Sequence, residues 1–297
     1  LFLGCAPKDE VRDNPPNIIY ILADDLGYGD LSIYNQDSKI KTPHLDQLAR
    51  EGMRFMDMHS TSSVCTPTRY SILTGEYAWR TSLKTGVLWS YGPLMIPDQK
   101  ETVAKLLKRN GYQTAVVGKW HLGLDWQLKS DPQPEQIIQN DWSLITDYKE
   151  EIVDFSKNPS KGPTQVGFDY SYILPASLDI PPYVYLENEK FTQPINDRTD
   201  GSNMEGDKDY DFWRPGPMAD GFDFYEVLPN FIDKAKAFID KAQKKEAPFF
   251  LYLPLAAPHT PWVPKANSPY SSEAGMYGAF VEMVDEQLGQ LFSYMED

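Results

Sequence analysis

The sequence predicts an α/β fold: a mostly parallel sheet with helices on both faces. Three observations predict it. Short runs rich in Ile, Val, Phe and Tyr alternate with amphipathic stretches of helical period. Gly, Pro and Thr punctuate the joins between them. Several apolar runs end in carboxylates, lysine or histidine, the place where open α/β sheets hold their ligands.

The elements follow in order. "NIIYILADDLGYGD" reads as a buried strand over residues 17–23, ending in Asp24 and Asp25. "TPHLDQLAREG" reads as a helix with Thr42 as N-cap, Pro43 at its first position and Gly52 as its stop. "MRFMDMHS" alternates well enough to predict a second strand over residues 53–60. "SVCTPTRYSILTG" places Cys65 at the entrance of a helix. "ETVAKLLKRNG" predicts an amphipathic helix stopped by Gly111, and "YQTAVVGKW" the strand after it, delivering Lys119 and His121. "FIDKAKAFIDKAQKKE" is a further helix, "PFFLYLPLAAPH" a strand ending at His259, and residues 276–297 a long final helix. Between residues 124 and 229 the alternation breaks down into a stretch rich in Pro, Asp, Asn, Tyr and Trp, which reads as a large irregular insertion over the sheet.

Composition narrows the function. The 297 residues carry 28 basic and 43 acidic side chains, a formal charge of −15, so the basic footprint of a nucleic-acid binder is missing. No apolar run approaches the ~18 residues of a membrane-spanning helix. The two cysteines, Cys5 and Cys65, do not make a disulfide framework. "LFLGCAPKDE" resembles the tail of a bacterial lipoprotein signal, with Cys5 as the lipidated residue and residues 1–16 a signal remnant and tether; this implies an exported protein, periplasmic or at the cell surface.

Cys65 sits among Ser, Thr, Pro and Arg rather than in an apolar setting, which argues against a plain core cysteine. A thiolate nucleophile at a helix N-terminus is one reading. The spacing Cys65-x-x-x-Arg69 is too short for the loop that tyrosine phosphatases wrap round an oxyanion, and no second cysteine stands nearby for zinc.

"CTPTRYSILTG" resembles the signature of the type I sulfatases, the arylsulfatases of the alkaline phosphatase superfamily. The resemblance is reinforced by "ADDLGYGD" upstream, and by "GKWHLG" and "APHTPWVP" downstream. It covers the chain from residue 17 onward, and "GFDYSYILPASLDIPPYVYLEN" is similar to the bacterial branch related to N-acetylgalactosamine-6-sulfatase.

That resemblance implies a sulfuric ester hydrolase acting on sulfated carbohydrate or aryl sulfate. It implies that a formylglycine-generating enzyme oxidises Cys65 to an aldehyde, whose hydrate attacks sulfur. Asp24 and Asp25, with the modified Cys65, would hold a calcium ion. Arg69 would hold the hydrate, Lys119 would pair with the sulfate, His259 would serve the leaving oxygen and His121 would take the proton that expels sulfate. Ser177 is carried over as a small polar residue beside the hydrate. The resemblance also implies a further Asp-Asn, another Lys and a small C-terminal subdomain beyond residue 297, so residues 17–297 read as the N-terminal part of a catalytic domain.

Two other readings stand beside this one: a phosphoester or phosphonate hydrolase of the same superfamily, and an inactive glycan-binding homologue. His44 and His59 read as structural. Trp126, Trp142, Tyr183, Tyr185 and Trp213 would either stack on sugar rings or pack the interior, and packing is the commoner fate of such aromatics.

Overall fold

The segment Phe249–Pro254 is apolar or aromatic at every position and buried throughout, which requires neighbours on both faces and both edges. It is the second strand of a six-stranded sheet in the computed structural model, which describes residues 15–139, 146–202, 212–264 and 270–296. Cys5 and Trp142 lie outside the described residues.

In chain order the elements are β1 (Ile18–Leu22), α1 (Pro43–Glu51), α2 (Cys65–Thr74), α3 (Val103–Arg109), β2 (Gln113–Lys119), β3 (Ile137–Gln139), β4 (Thr146–Tyr148), β5 (Tyr170–Leu174), β6 (Leu186–Glu187), β7 (Lys190–Phe191), β8 (Asp197–Thr199), β9 (Gly216–Met218), α4 (Val227–Gln243), β10 (Phe249–Pro254) and α5 (Gly275–Glu296). The main sheet runs β1-β10-β2-β5-β6-β7. Its first four strands are parallel, and β6 and β7 add an antiparallel edge. Small antiparallel pairs β3-β4 and β8-β9 stand apart from it.

Side chains alternate across the strands and build two cores. Phe249, Leu251 and Leu253 face one side with Ala115 and Val117, where they meet α4 and α5 through Phe231, Ile239, Phe280 and Leu288. Phe250 and Tyr252 face the other with Val116, against Tyr70 and Leu73 of α2 and Ala104 of α3. The architecture is therefore three-layered, as the sequence predicts. Gly118 is needed where β2 approaches β10. Its φ is +140°, and a Cβ there would lie 2.0 Å from the Pro254 carbonyl oxygen.

Two sequence expectations change. Residues 53–60 form no strand: Met53, Phe55, Met56 and Met58 are all exposed, because an alternating pattern supplies a face but not a pairing edge. Accordingly His59 is not at a strand end; it is exposed and paired with Asp57. Thr42 is the N-cap of α1, with Pro43 at the first position and Gly52 at the end, as the sequence predicts. Thr42 makes no side-chain cap bond; instead Asp285 of α5 accepts from the backbone N–H groups of His44 and Leu45, and Gly289 leaves room for the His44 ring. Finally, residues 124–229 are mostly irregular, yet they contain β5, which pairs in parallel with β2 inside the main sheet, and the first residues of α4.

Of the aromatics in that stretch, Trp126 and Tyr183 are buried, Tyr185 packs on Tyr172 and Phe222, and Trp213 stacks on Phe224 at 4.2 Å. All four pack the interior. No helix among the described residues is long and apolar enough to cross a membrane.

Candidate active site

Four parallel strands end at the same edge of the sheet. β1 leads to Asp24 and Asp25, β2 ends at Lys119 and leads to His121, β5 leads to Ser177 and Asp179, and β10 leads to His259. α2 begins at this edge with Cys65 as its first residue.

Thr66 anchors that helix start. Its hydroxyl donates to the His121 carbonyl at 2.9 Å and accepts from the Leu88 N–H at 3.2 Å. One turn on, Arg69 is fully buried and ties the strand ends together. Nη1 donates to the Lys119 carbonyl at 2.7 Å, Nη2 to the Leu255 carbonyl at 3.4 Å, and Nη2 pairs with Asp24 Oδ1 at 3.2 Å. Its Nη atoms are thus engaged beneath the site, and only Nε is left without a partner.

Lys119 is wholly buried and bridges Asp24 Oδ2 at 2.5 Å and Cys65 Sγ at 3.3 Å. Burial pushes the Asp24 carboxyl up, but Lys119 and Arg69 outweigh it and hold the group well below the usual carboxylate range. Burial likewise pushes the Cys65 thiol up; Lys119, with hydrogen bonds from His121 and His259, brings it down to about 5.

The two histidines differ in a useful way. His121 is buried, and its Nε2–H donates to the Leu88 carbonyl at 2.8 Å. A carbonyl only accepts, so Nε2 carries a proton, and Nδ1 is the ring nitrogen left to face Cys65. His259 is held the other way: Nδ1–H donates to the Thr260 carbonyl at 2.6 Å, leaving Nε2 towards Asp25 at 3.6 Å. Burial pushes the His259 imidazolium down, yet its bond to Cys65 and the carboxylates of Asp24 and Asp179 push it up to about 9. His121 and Asp25 both hold positive φ, +52° and +62°, a conformation that non-glycine residues adopt at the expense of strain.

The structure therefore brings Cys65, Arg69, Lys119, His121, His259, Asp24 and Asp25 to one place, with Ser177 buried beside them. It adds residues that the sequence reading did not single out: Thr66, Trp89, Asp179 and Arg214. Asp179 stands two residues after Ser177, where its irregular surroundings hid it. His44 lies away from the site, beside α5.

A cavity of about 270 Å³ next to Cys65 has Asp24, Asp25, Ser60, Ser62 and Ser63 among its lining, oxygen-bearing side chains of the kind a hard cation prefers, beside Arg69 and apolar residues such as Leu22 and Val64. Asp24 is already engaged by two cationic side chains, whereas the Asp25 carboxylate is 56% exposed and open. Among the described residues no group of three His, Cys, Asp or Glu is placed to hold a metal. The donors fit one side of a calcium shell, which takes roughly six to eight oxygens.

The sequence model of the Sulfatase family matches residues 16–297. This chain belongs to the sulfatase family. It is 31% identical to an N-acetylgalactosamine-6-O-sulfatase of Bacteroides thetaiotaomicron over its whole length, covering 59% of that protein. It is 30% identical to the human N-acetylgalactosamine-6-sulfatase over 95% of its own length and 47% of the relative's. Among solved structures, a 6S-sulfatase from a Bacteroides thetaiotaomicron locus for glycosaminoglycan metabolism superposes with TM-score 0.75 at 31% identity, over 95% of this chain and 59% of that one. A phosphonate monoester hydrolase of Agrobacterium radiobacter shares the fold, with TM-score 0.55 at 16% identity. The chain spans about half to three-fifths of the length of these relatives.

Proposed function

We propose that the protein hydrolyses sulfate esters of carbohydrate, with position 65 as the nucleophile. The observation that carries this is Cys65 at the first turn of α2, 3.3 Å from a buried lysine and flanked by two histidines that face it through opposite ring nitrogens, Nδ1 of His121 and Nε2 of His259. Oxidised to formylglycine, position 65 would supply a hydrated aldehyde, and calcium held by Asp24 and Asp25 would polarise sulfate oxygens.

The rest is the work of the chain's own side chains. The α2 N-terminus and Lys119 favour negative charge at the reacting centre. Lys119 is fixed by Asp24, so it presents its charge without reorganising. Arg69 stabilises that arrangement through the strand ends rather than through a hydrogen bond to position 65. His259 donates from Nε2 to the leaving alcohol oxygen, its Nδ1 being committed to Thr260. His121 accepts a proton at Nδ1, its Nε2 being committed to Leu88. Ser177, with its buried hydroxyl beside Asp179, borders the same space. The names of the relatives favour an N-acetylhexosamine 6-sulfate as substrate.

The test pairs mass spectrometry of the peptide bearing position 65 with turnover of 4-nitrophenyl sulfate, 4-nitrophenyl phosphate and N-acetylgalactosamine 6-sulfate. Formylglycine and preference for the sulfates are expected. Preference for the phosphate, or an unmodified thiol in protein matured in its own host, overturns the reading.

A further inference from the structure

A second cavity, of about 210 Å³, opens from Cys65 and His259 towards Trp89, Asp179 and Arg214. The Arg214 guanidinium lies 5.3 Å from the Trp89 ring centre and 5.0 Å from that of Phe212. Its Nη1 donates to Asp179 Oδ2 at 2.5 Å and to the Asp179 carbonyl at 3.2 Å. Its backbone is fixed too: the N–H donates to the Asp179 carbonyl at 3.2 Å, and the carbonyl accepts from the Tyr183 hydroxyl at 2.8 Å. The side chain is rigid but 34% exposed, and a guanidinium has more N–H donors than Asp179 uses.

Asp179 is 6% exposed, and its Oδ1 makes no well-aligned hydrogen bond, the Ser177 hydroxyl being the donor that stands beside the carboxylate. His259 Nδ1 is 3.9 Å from that oxygen and directs its N–H to the Thr260 carbonyl instead. A buried carboxylate oxygen without a well-aligned donor keeps capacity to accept from a ligand. The wall of this cavity thus offers one unsatisfied acceptor, several free donors and the face of an indole. A sugar ring matches all three: its hydroxyls donate and accept, and its C–H face packs on Trp. A second anionic substituent does not match, because Asp179 repels it.

We propose that Asp179, Arg214 and Trp89 form the subsite that reads the hydroxyl groups of the sulfated sugar, accepting a ring whose hydroxyls are free there and rejecting one that carries a second anion. This rests on the sulfate-ester reading above. These are specificity residues; they lie beside the reacting atoms.

The test measures kcat/KM for 4-nitrophenyl sulfate, N-acetylgalactosamine 6-sulfate and the 4,6-disulfated sugar in wild type, Asp179→Asn, Arg214→Leu and Arg214→Lys, with thermal melting as the check on folding. In Arg214→Leu the sugar monosulfate is expected to lose about 30-fold more than the aryl sulfate, with part of that loss restored in Arg214→Lys. Asp179→Asn is expected to cut the preference for monosulfate over disulfate about tenfold. Equal losses on sugar and aryl substrates, or an unchanged mono-to-disulfate ratio, overturn the proposal while leaving the sulfatase reading intact. If wild type cleaves no sulfate ester, that reading fails. Calorimetric binding of the sugar monosulfate then decides the subsite: weaker binding to Arg214→Leu supports it, and equal Kd values overturn it.

Discussion

The two edges of the sheet handle charge in opposite ways. At the amino edge, Lys108 pairs with Asp169 at 2.6 Å with both side chains nearly half exposed, and Lys234 reaches Glu187 at 3.8 Å. At the carboxyl edge, Lys119, Arg69 and Asp24 form a cluster exposed by no more than 6%, touching the Cys65 thiol. Exposed pairs add little to stability, and buried ones are expensive to assemble. The second kind is kept where fixed charge must act on a reacting atom without water in between.

The comparison can be broken most severely at its reactive end. Cys65→Ala is expected to lower sulfate-ester kcat/KM by about a thousandfold or more, measured on 4-nitrophenyl sulfate, since the nucleophile is lost while the cations stay. Next comes Lys119→Met, which leaves Asp24 buried with Arg69 alone. Urea unfolding should show a loss of about 3–5 kcal/mol. A loss no larger than that of an exposed pair would show that the carboxyl edge is not special.

A third case sharpens the comparison, because it is a buried acid with no cation. Asp147 accepts from the backbone N–H groups of Tyr91 and Tyr148, and burial pushes its carboxyl up to about 6. The folded value exceeds the ordinary one, so the folded state favours the protonated form. The stability this contributes is full below about pH 4 and is lost as pH rises through about 6. The loss should be on the order of 2–3 kcal/mol. Asp147→Asn keeps the acceptor oxygen and should flatten this slope in unfolding measured from pH 4 to 7. The smallest effect belongs to Lys108→Met at the amino edge, expected to change unfolding free energy by less than about 1 kcal/mol.

The predicted strands, the helix opened by Cys65 and the long last helix were legible because their signals are local: period, a proline near the helix start, a glycine at its end. The convergence of Asp24, Lys119, His121 and His259 was legible for a related reason, since strand ends in parallel sheets share an edge. Residues 53–60 misled because their pattern is that of a strand, while strand formation requires an edge to pair with. Asp179 and Arg214 escaped notice because they meet through a loop, and nothing in "SLDIPPY" or "WRPGP" announces a salt bridge 35 residues apart.

By itself the sequence determined the layered fold, the place of Cys65 at a helix start and which charges gather round it, because strand and helix signals are local and parallel strands share an edge. Only the tertiary structure decided which nitrogen of each histidine faces Cys65, that Arg69 braces the strand ends, and that Asp285 accepts the first N–H groups of α1. Most of those outcomes depend on hydrogen-bond partners tens to hundreds of residues distant, and even the neighbouring Thr260 carbonyl is aimed at His259 only by the folded loop; no periodicity encodes a partner.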